Sequence, residues 1–330
     1  MFTPESSNEL TRRDFIKNSA MTIAAASTLT ACSQSEKQKT AQVVGEMPKR
    51  TLGKTGLDVS LLAFGGGSFF LKNKDGAWEP ILERAVELGI NLFDTSSSYT
   101  FGASMSSEER FGLILPKYRK DILISTKFEP RDPDKAMKEI ETSLERMKTD
   151  YVDFLMIHSL EPSDDIASLE SGVYKMMQGL KEQGVARFIG FSSMDSAERS
   201  KEFIEKLDPD VCIMAINPTQ YGRFADIALP SARSQNVGTL AMKVMRDVVG
   251  KSATPRELMQ YSISQPGVAT ALVSHYGMDV LEENVALVKE LAGMEPVGAD
   301  NTQLEKRLAH LAGPHALSWA RPDYYDGKMC

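Results

Sequence analysis

The sequence of 330 residues is poor in the residue types that build disulfide frameworks and metal centres. Its three cysteines, Cys32, Cys212 and Cys330, are too few and too scattered for a disulfide framework or a zinc ribbon. Its four histidines form no H-x-H or H-E-x-x-H pattern. A barrel hydrolase that depends on a metal needs clustered histidine ligands, so the sequence disfavours that class of enzyme. Cys212 lies in an apolar run, which predicts a buried thiol.

An excess of positive charge is also lacking. Lysine and arginine number 38 against 45 aspartates and glutamates, which leaves a net charge of −7. Such a chain has no basic field to attract nucleic acid, so we expect no nucleic-acid partner. The composition, 42% hydrophobic and 25% charged, is ordinary for a globular protein. A weakly apolar stretch at residues 19–31 is too short and too polar to remain as a membrane span.

The N-terminal residues resemble an export signal. The paired Arg12 and Arg13, followed by a phenylalanine and a lysine, resemble the twin-arginine motif, and the weakly apolar stretch ends in the Leu-Thr-Ala-Cys of a lipoprotein box. We therefore expect a signal peptide at 1–32 with Cys32 as the acylated residue, a polar tether at 33–46, and a lipoprotein anchored at the periplasmic face of a membrane. The alternative is a disordered basic tail that merely contains two arginines. Because the twin-arginine route exports folded proteins, it also hints at a cofactor bound before export.

Residues 47–330 predict one α/β domain. Short apolar runs alternate with segments of helical period, and the runs are continuous, which is typical of a parallel sheet covered by helices. Eight such units with short connections favour a (β/α)₈ TIM barrel, with an N-terminal β-hairpin at 49–60 and a C-terminal helical tail. The predicted strands are 61–64, 91–94, 122–126, 152–157, 188–191, 211–216, 238–242 and 269–273. The predicted helices are near 79–88, 106–115, 133–147, 168–183, 195–206, 226–235, 254–265 and 278–292.

A doubly wound dinucleotide fold is the alternative architecture. It would place G-x-G-x-x-G directly after the first strand. The sequence there has Gly65, Gly66 and Gly67 but no third glycine at the required spacing, so the fingerprint is absent. The three glycines favour a tight turn that lets the backbone approach a ligand closely.

Polar residues end three consecutive predicted strands. Asp94 ends strand two, Lys127 ends strand three and His158 ends strand four, while Tyr99 lies in the loop after strand two. The carboxyl ends of barrel strands converge on one mouth, and adjacent strands lie about 4.8 Å apart. Asp94 and Lys127 are therefore expected to pair, and Tyr99 to reach both Lys127 and His158. Taken alone, Asp94 and Tyr99 also fit an Asx turn followed by an exposed tyrosine.

The four side chains have the chemistry of a tuned proton donor. A tyrosine phenol has a pKa of about 10, and a neighbouring ammonium lowers that pKa by stabilising the phenolate. We expect Lys127 to act on Tyr99 in this way, Asp94 to hold the ammonium in place, and His158 to orient a carbonyl oxygen against the phenol. This arrangement favours delivery of a proton to a carbonyl as a hydride arrives.

From Lys49 to about Val288 the sequence resembles the aldo-keto reductase family. Besides the four polar residues, the matching segments are 56–60, 89–95, 150–153 and 184–192. The resemblance implies an NADP(H)-dependent oxidoreductase that reduces an aldehyde or ketone without a metal. It implies Tyr99 as the acid, with Lys127, Asp94 and His158 in the supporting roles.

The resemblance also implies a cofactor site, which departs from the family pattern at the nicotinamide end. The family's Ser-Asn pair, which holds the nicotinamide amide, is here Ser192 and Ser193, and the family's glutamine on strand six is here Met214. Asn217 is the candidate to take over the contact with the amide.

The phosphate and adenine end keeps more of the family pattern. The turn after strand eight begins at Ser274, and the Glu-Asn pair that would meet the adenine is Glu283 and Asn284. The basic residue that usually binds the 2′-phosphate falls on Gly277, and Lys243 after strand seven could supply the charge instead. We therefore expect NADP(H) as the cofactor, with NAD(H) left open.

Two classes of function follow from these residues. The first is a reductase of a small carbonyl substrate, and the second is a barrel that retains its cofactor as a sensor or partner-binding module with little turnover. In either case we expect a monomer or small homo-oligomer that meets the membrane only through its lipid anchor. The aromatic candidates for the wall of a substrate pocket are Phe69, Trp78, Phe128, Trp319 and Tyr324.

Overall fold

The computed structural model describes residues 46–292 and 301–327. The predictions of an export signal, a lipidated Cys32 and a tether therefore lie outside the described residues, apart from Glu46 at the end of the tether. Cys330 also lies outside them. No helix among the described residues is long and apolar enough to cross a bilayer.

The strands of the described residues form a two-stranded hairpin and a closed parallel barrel. The barrel runs in chain order, with the last strand paired to the first, which confirms the predicted (β/α)₈ architecture. The hairpin strands are β1 (Lys49–Thr51) and β2 (Asp58–Ser60), which pair antiparallel as predicted. The barrel strands are β3 (Leu62–Gly65), β4 (Leu92–Asp94), β5 (Leu123–Phe128), β6 (Val152–Ile157), β7 (Ala186–Ser193), β8 (Val211–Ala215), β9 (Gly238–Met242) and β10 (Val268–Val273).

Helices cover the outside of the barrel and continue into the C-terminal tail. They are α1 (Ser68–Leu71), α2 (Trp78–Glu87), α3 (Ser107–Ile114), α4 (Pro133–Met147), α5 (Ile166–Leu169), α6 (Lys175–Glu182), α7 (Ala197–Leu207), α8 (Phe224–Ile227), α9 (Leu229–Ser234), α10 (Pro255–Ser264), α11 (Met278–Ala292) and α12 (Thr302–Leu308).

Helix starts follow the local sequence. Asp132 caps α4, where its side chain accepts a hydrogen bond from the Lys135 amide, and a proline takes the first helical position. Thr254 caps α10 in the same way and forms a reciprocal pair with Glu257. These caps satisfy amide donors that have no partner within the helix, so both helices begin within a residue of the predicted start.

Two of the predicted helices are broken. The segment predicted as one helix at 168–183 contains a π-helical turn, Glu170–Tyr174, between α5 and α6. Gly172 interrupts it with non-helical angles, φ −101° and ψ −109°. The segment predicted at 226–235 is likewise divided into α8 and α9, because Pro230 at the start of α9 can begin a helix but cannot continue one.

The tail after α12 is mostly irregular and returns to the mouth of the barrel. After short 3-10 turns at Ala309–Leu311 and Ser318–Ala320, the chain reaches the loop that follows β4. The Phe101 amide donates to the Gly327 carbonyl at 3.3 Å, and the Ser98 hydroxyl donates to the Asp326 carbonyl at the same distance. The predicted helical tail is therefore helical only in its first part.

Candidate active site

The first element of the site is a buried ion pair at the ends of β4 and β5. Asp94 and Lys127 are each about 1% exposed, and the Lys127 ammonium lies 2.6 Å from Asp94 Oδ2. The ammonium also donates to the Thr95 carbonyl at 2.7 Å, and the Ser125 hydroxyl donates to Asp94 Oδ1 at 2.8 Å. The parallel register that pairs Asp94 with Ser125 brings these groups to one level of the barrel. The pairing expected from adjacent strands is therefore present.

Tyr99 lies between this ion pair and His158. The ring of Tyr99 lies 5.0 Å from the Lys127 ammonium and 5.6 Å, edge to face, from the ring of His158. The tyrosine is 6% exposed. The phenol donates a hydrogen bond of 2.9 Å to Asp326 Oδ2, a group 227 residues further along the chain. The structure therefore excludes the interpretation of Tyr99 as an exposed residue of a surface turn.

A carboxylate and a hydroxyl orient the imidazole of His158. Its Nδ1 lies 2.5 Å from Glu129 Oε1 and 3.1 Å from the hydroxyl of Ser96. Its Nε2 faces the other way and lies 3.4 Å from Asp326 Oδ2, the oxygen that also accepts from Tyr99. Glu129 directly follows β5, so it acts on the ring from the neighbouring strand. Glu129 was not predicted as a site residue, although its position one residue after the strand was a usable signal.

Asp326 is the central acceptor of the site and was also missed. Its Oδ1 accepts from the Lys243 ammonium at 3.0 Å and from the Tyr324 hydroxyl at 2.5 Å, while its Oδ2 faces Tyr99 and His158. The residue is 7% exposed. Because the contact spans more than two hundred residues and the tail carries no motif, no local signal in the sequence could have revealed it.

The pKa of Tyr99 moves opposite to the expectation from the sequence. Burial, followed by the charges of Asp326 and Asp94, raises the pKa of the phenol well above its usual value. Lys127 faces the ring of Tyr99 and is already paired with Asp94, so it does not outweigh these effects. The expected lowering was wrong, and the phenol is held in its protonated form.

The groups around Asp326 shift one another's pKa values. Burial opposes the charge of Asp326, but Lys243, His158 and Tyr324 together hold its pKa well below the usual range. Burial likewise opposes the charge of His158, yet hydrogen bonds and charges from Asp326 and Glu129 outweigh it and raise the pKa of the ring. Burial lowers the pKa of Lys243 despite its contact with Asp326. The mouth of the barrel is therefore a dense set of coupled charges.

Comparison with known proteins identifies the family to which this chain belongs. The model of the aldo/keto reductase family matches residues 61–249, more than half of the chain. This chain belongs to the aldo/keto reductase family. It is an oxidoreductase of the carbonyl-reducing kind, and the family uses nicotinamide cofactors.

Curated relatives and solved structures agree with this assignment. L-galactose dehydrogenase of Arabidopsis thaliana is 29% identical over 315 residues, covering 82% of this chain and 96% of that protein. L-glyceraldehyde 3-phosphate reductase of Escherichia coli is 29% identical over 217 residues, covering 60% of this chain and 61% of that protein. A putative aldo-keto reductase structure from Pseudomonas aeruginosa is 26% identical, with a TM-score of 0.64, covering 77% of this chain and 99% of that one. A holo aldo-keto reductase structure from Bacillus halodurans shares the fold. It is 22% identical, with a TM-score of 0.66, and the match covers 80% of this chain and 97% of that one.

Two cavities of this reductase border the site. The larger of the two runs across the ends of the first, second, seventh and eighth barrel strands. Its volume is about 380 Å³. The predicted site residues in its lining are Asp94, Tyr99, Lys243, Ser274 and Asn284, and Asp326 and Phe69 lie there as well. The cavity thus joins the candidate proton donor to part of the predicted cofactor site.

The glycines after β3 bring two loops together beside this cavity. The Gly66 amide donates to the Asp94 carbonyl at 2.7 Å, and a Cβ on Gly66 would overlap the hydroxyl of Ser107. Gly65 and Gly67 line the cavity, and the Ser274 hydroxyl donates to the Gly65 carbonyl at 2.6 Å. These close contacts are all within the protein, and the expected close approach of this backbone to a ligand stays a prediction.

Other predicted cofactor residues lie outside the lining of the larger cavity. The Ser192 hydroxyl accepts from the Ser159 amide at 2.9 Å, and the Ser193 hydroxyl donates to the Leu160 carbonyl at 3.1 Å. The amide oxygen of Asn217 accepts from both the backbone amide and the hydroxyl of Thr219, at 3.0 and 2.6 Å. Glu283 is exposed on α11.

The aromatic candidates for a pocket wall divide into two groups. Phe69 lines the larger cavity, and Tyr324 lines a second cavity of about 170 Å³ that includes His158, Asp195 and Asp326. The remaining three are buried packing residues, namely Trp78, Phe128 and Trp319. Cys212 is fully buried, as predicted, and burial raises the pKa of its thiol to about 12.

Proposed function

We propose that this enzyme reduces an aldehyde or ketone to an alcohol, with a proton from Tyr99 and a hydride from NADP(H) or NAD(H). One observation carries the proposal. The Tyr99 hydroxyl and His158 Nε2 converge on a single oxygen atom, Asp326 Oδ2, at 2.9 and 3.4 Å. A carbonyl oxygen in that position would meet the same two groups, which are the donors needed where negative charge develops.

The chain's own residues account for the proton step. When bound, a reduced nicotinamide would supply the hydride to the carbonyl carbon. As charge develops on the carbonyl oxygen, Tyr99 transfers its hydroxyl proton there and His158 donates a hydrogen bond from Nε2. The raised pKa of Tyr99 keeps this proton in place until an acceptor arrives. Lys127, which is held by Asp94, lies next to the ring and stabilises the phenolate that remains.

The cavity also fits an elongated nucleotide cofactor. The Lys243 side chain, 7% exposed and paired with Asp326, lies in its wall and carries the charge needed by a phosphate, while Ser274 and, on α11, Asn284 add polar groups. We propose that Lys243, Ser274 and Asn284 hold the phosphates and adenine, with Glu283 at the exposed edge. Ser192, Ser193 and Asn217 remain the candidates for the nicotinamide end.

A panel of cofactors and carbonyl compounds tests the proposal. The purified protein is mixed with NADPH or NADH, and loss of the reduced-nicotinamide absorbance is followed after a carbonyl compound is added. The panel includes L-glyceraldehyde 3-phosphate and, for oxidation with NADP or NAD, L-galactose, because two relatives are named for these compounds. We expect turnover of at least one compound. Stable cofactor binding without turnover would favour the sensor or partner-binding module, for which the presence of Asp326 among the catalytic donors is the supporting observation.

Cofactor preference is set at the turn after β10. Gly277 has a φ of +91°, so an arginine at this usual position would carry backbone strain. Tyr276, 56% exposed in the lining of the cavity, offers a better position for added charge. Tyr276→Arg is expected to shift the ratio of dissociation constants towards NADP by about 1.5 kcal/mol, roughly tenfold, as one charge-assisted contact forms. Fluorescence titration measures both constants, with Tyr276→Gln as the control. An unchanged ratio would place the 2′-phosphate elsewhere, with Lys243 as the next candidate.

We further propose that the enzyme is exported folded and anchored by a lipid on Cys32. Replacing Arg12 and Arg13 with lysine is expected to retain the protein in the cytoplasm, because the export route reads the arginine pair. Cys32→Ala is expected to release the protein from the membrane fraction, while the neighbouring control Ser33→Ala leaves it attached. Cell fractionation and immunoblotting measure both effects. Normal membrane attachment of the Cys32→Ala variant would contradict the lipid anchor.

A further inference from the structure

The carboxylate of Asp326 takes up the donors that a carbonyl substrate needs. Tyr99 and His158 face its Oδ2, while Lys243 and Tyr324 donate to its Oδ1. Only one acceptor oxygen can occupy the position between the phenol of Tyr99 and Nε2 of His158. A bound carbonyl and the Asp326 carboxylate therefore exclude each other at this point.

The segment that carries Asp326 is fixed on both sides of the mouth. The Tyr325 hydroxyl donates to Glu129, the carboxylate that orients His158, and Arg246 donates to the hydroxyl of Tyr324 at 3.0 Å. The backbone is held by the contacts of Ser98 and Phe101 described above. Gly327 has a φ of +108°, and a Cβ there would overlap Ser98, so the tail packs closely against the loop after β4.

We propose that the carboxylate of Asp326, carried by the chain's own tail, is the resting occupant of the catalytic pocket and that substrate must displace it. The inference rests on the proposed reductase function, because it identifies the displaced groups as the proton donor and its partner. Two cationic or readily protonated groups, Lys243 and His158, face the carboxylate, which matches the charge of the ligand. The resting enzyme is thus inhibited by its own C-terminal segment.

Asp326 does not assist the proton transfer itself. The Asp326 carboxylate accepts the hydrogen bond of the Tyr99 hydroxyl in place of the substrate, and its negative charge opposes ionisation of the phenol. Both effects slow a reaction in which Tyr99 must give up its proton. If substrate binds only to molecules with the tail withdrawn, the apparent dissociation constant of the substrate equals its intrinsic constant divided by the fraction of such molecules.

Kinetics of Asp326→Ala test the inference, with Asp323→Ala as a control at an exposed position of the same tail. With DL-glyceraldehyde as an uncharged substrate, we expect Asp326→Ala to lower KM by about tenfold. The control is expected to keep the wild-type KM. Acetate is expected to inhibit Asp326→Ala competitively against glyceraldehyde, and wild type far more weakly, with potassium chloride matching the ionic strength. Asp326→Asn keeps the side-chain shape and serves as a second variant.

Hydrogen exchange of the tail peptides provides a readout that needs no turnover. Exchange in 318–327 is expected to be faster in Asp326→Ala than in wild type or Asp323→Ala, and to accelerate in wild type at high acetate. An unchanged or higher KM for the Asp326 variants, with glyceraldehyde reduced by wild type, would overturn the inference and leave the reductase function standing. If no form reduces any carbonyl, the proposed function fails, and tail exchange alone decides the inference. Equal exchange in all forms would overturn it.

Discussion

Tyr99→Phe is expected to lower kcat for carbonyl reduction by at least ~10²-fold, the range for loss of a general acid. The change removes the phenolic hydroxyl, whose proton is the only acidic proton of this side chain. It leaves the ring contacts with Lys127 and His158 in place. Steady-state kinetics with the best substrate of the panel measures the effect, and fluorescence titration is expected to show nearly unchanged cofactor affinity.

The same variant also removes a donor from Asp326, so its KM does not report on the acid alone. A loosened tail would lower KM while the missing proton lowers kcat, which makes kcat the diagnostic quantity. Tyr118→Phe, in the 3-10 turn Leu115–Tyr118, is the matched control and is expected to retain wild-type kcat. Near wild-type kcat in Tyr99→Phe would remove Tyr99 from the role of proton donor.

Lys127→Met is expected to reduce both stability and activity. It leaves Asp94 as an uncompensated charge that is about 1% exposed, and breaking a buried pair in this way costs about 3–5 kcal/mol of unfolding free energy. The loss of the cation beside the Tyr99 ring is expected to lower kcat as well, because the phenolate loses its stabilising charge. Urea unfolding measures the first effect and steady-state kinetics the second.

Two comparisons separate burial from charge in that result. Lys117→Met breaks an ion pair with Glu83 at the surface, where the lysine side chain is 51% exposed, and is expected to cost far less unfolding free energy than Lys127→Met because solvent screens the pair. Adding Asp94→Asn to Lys127→Met removes the orphaned charge and is expected to recover part of the stability but none of the activity. A stability loss for Lys127→Met as small as that for Lys117→Met would contradict the buried pair.

The catalytic set also predicts strong coupling between variants. In the proposed mechanism Tyr99 and Lys127 act on one proton transfer, so the double variant Tyr99→Phe with Lys127→Met is expected to have a kcat little below that of either single variant. Full additivity of the two losses would mean that the side chains act separately.

The barrel could be predicted from the sequence because its signals are local. The strands at Val152–Ile157 and Gly238–Met242 are continuous apolar runs, and the structure begins and ends them where their patterns predict. The helix Pro133–Met147 has its cap, its proline and its apolar period within the same segment. Where one residue disrupts the backbone, as Gly172 does, hydrophobic period alone overextends the helix.

Part of the site could be predicted for the same reason. Asp94, Lys127 and His158 lie at or within one residue of the ends of consecutive strands, so barrel closure brings them together without any further information. Asp326 reaches the site only because the tail folds back across the mouth, and such a contact has no local pattern. The predicted lowering of the Tyr99 pKa was wrong for this reason, because one of the carboxylates that raise the pKa, Asp326, comes from the tail.

The central claim is that Tyr99 delivers a proton to a carbonyl as a nicotinamide hydride is transferred. A single-turnover measurement tests it most directly: protein with one equivalent of NADPH bound is mixed with the carbonyl, and both absorbance and alcohol are quantified. The account predicts that wild type loses the absorbance and forms one alcohol per cofactor, and that Tyr99→Phe does so at least ~10²-fold more slowly. Equal single-turnover rates for wild type and Tyr99→Phe would contradict it.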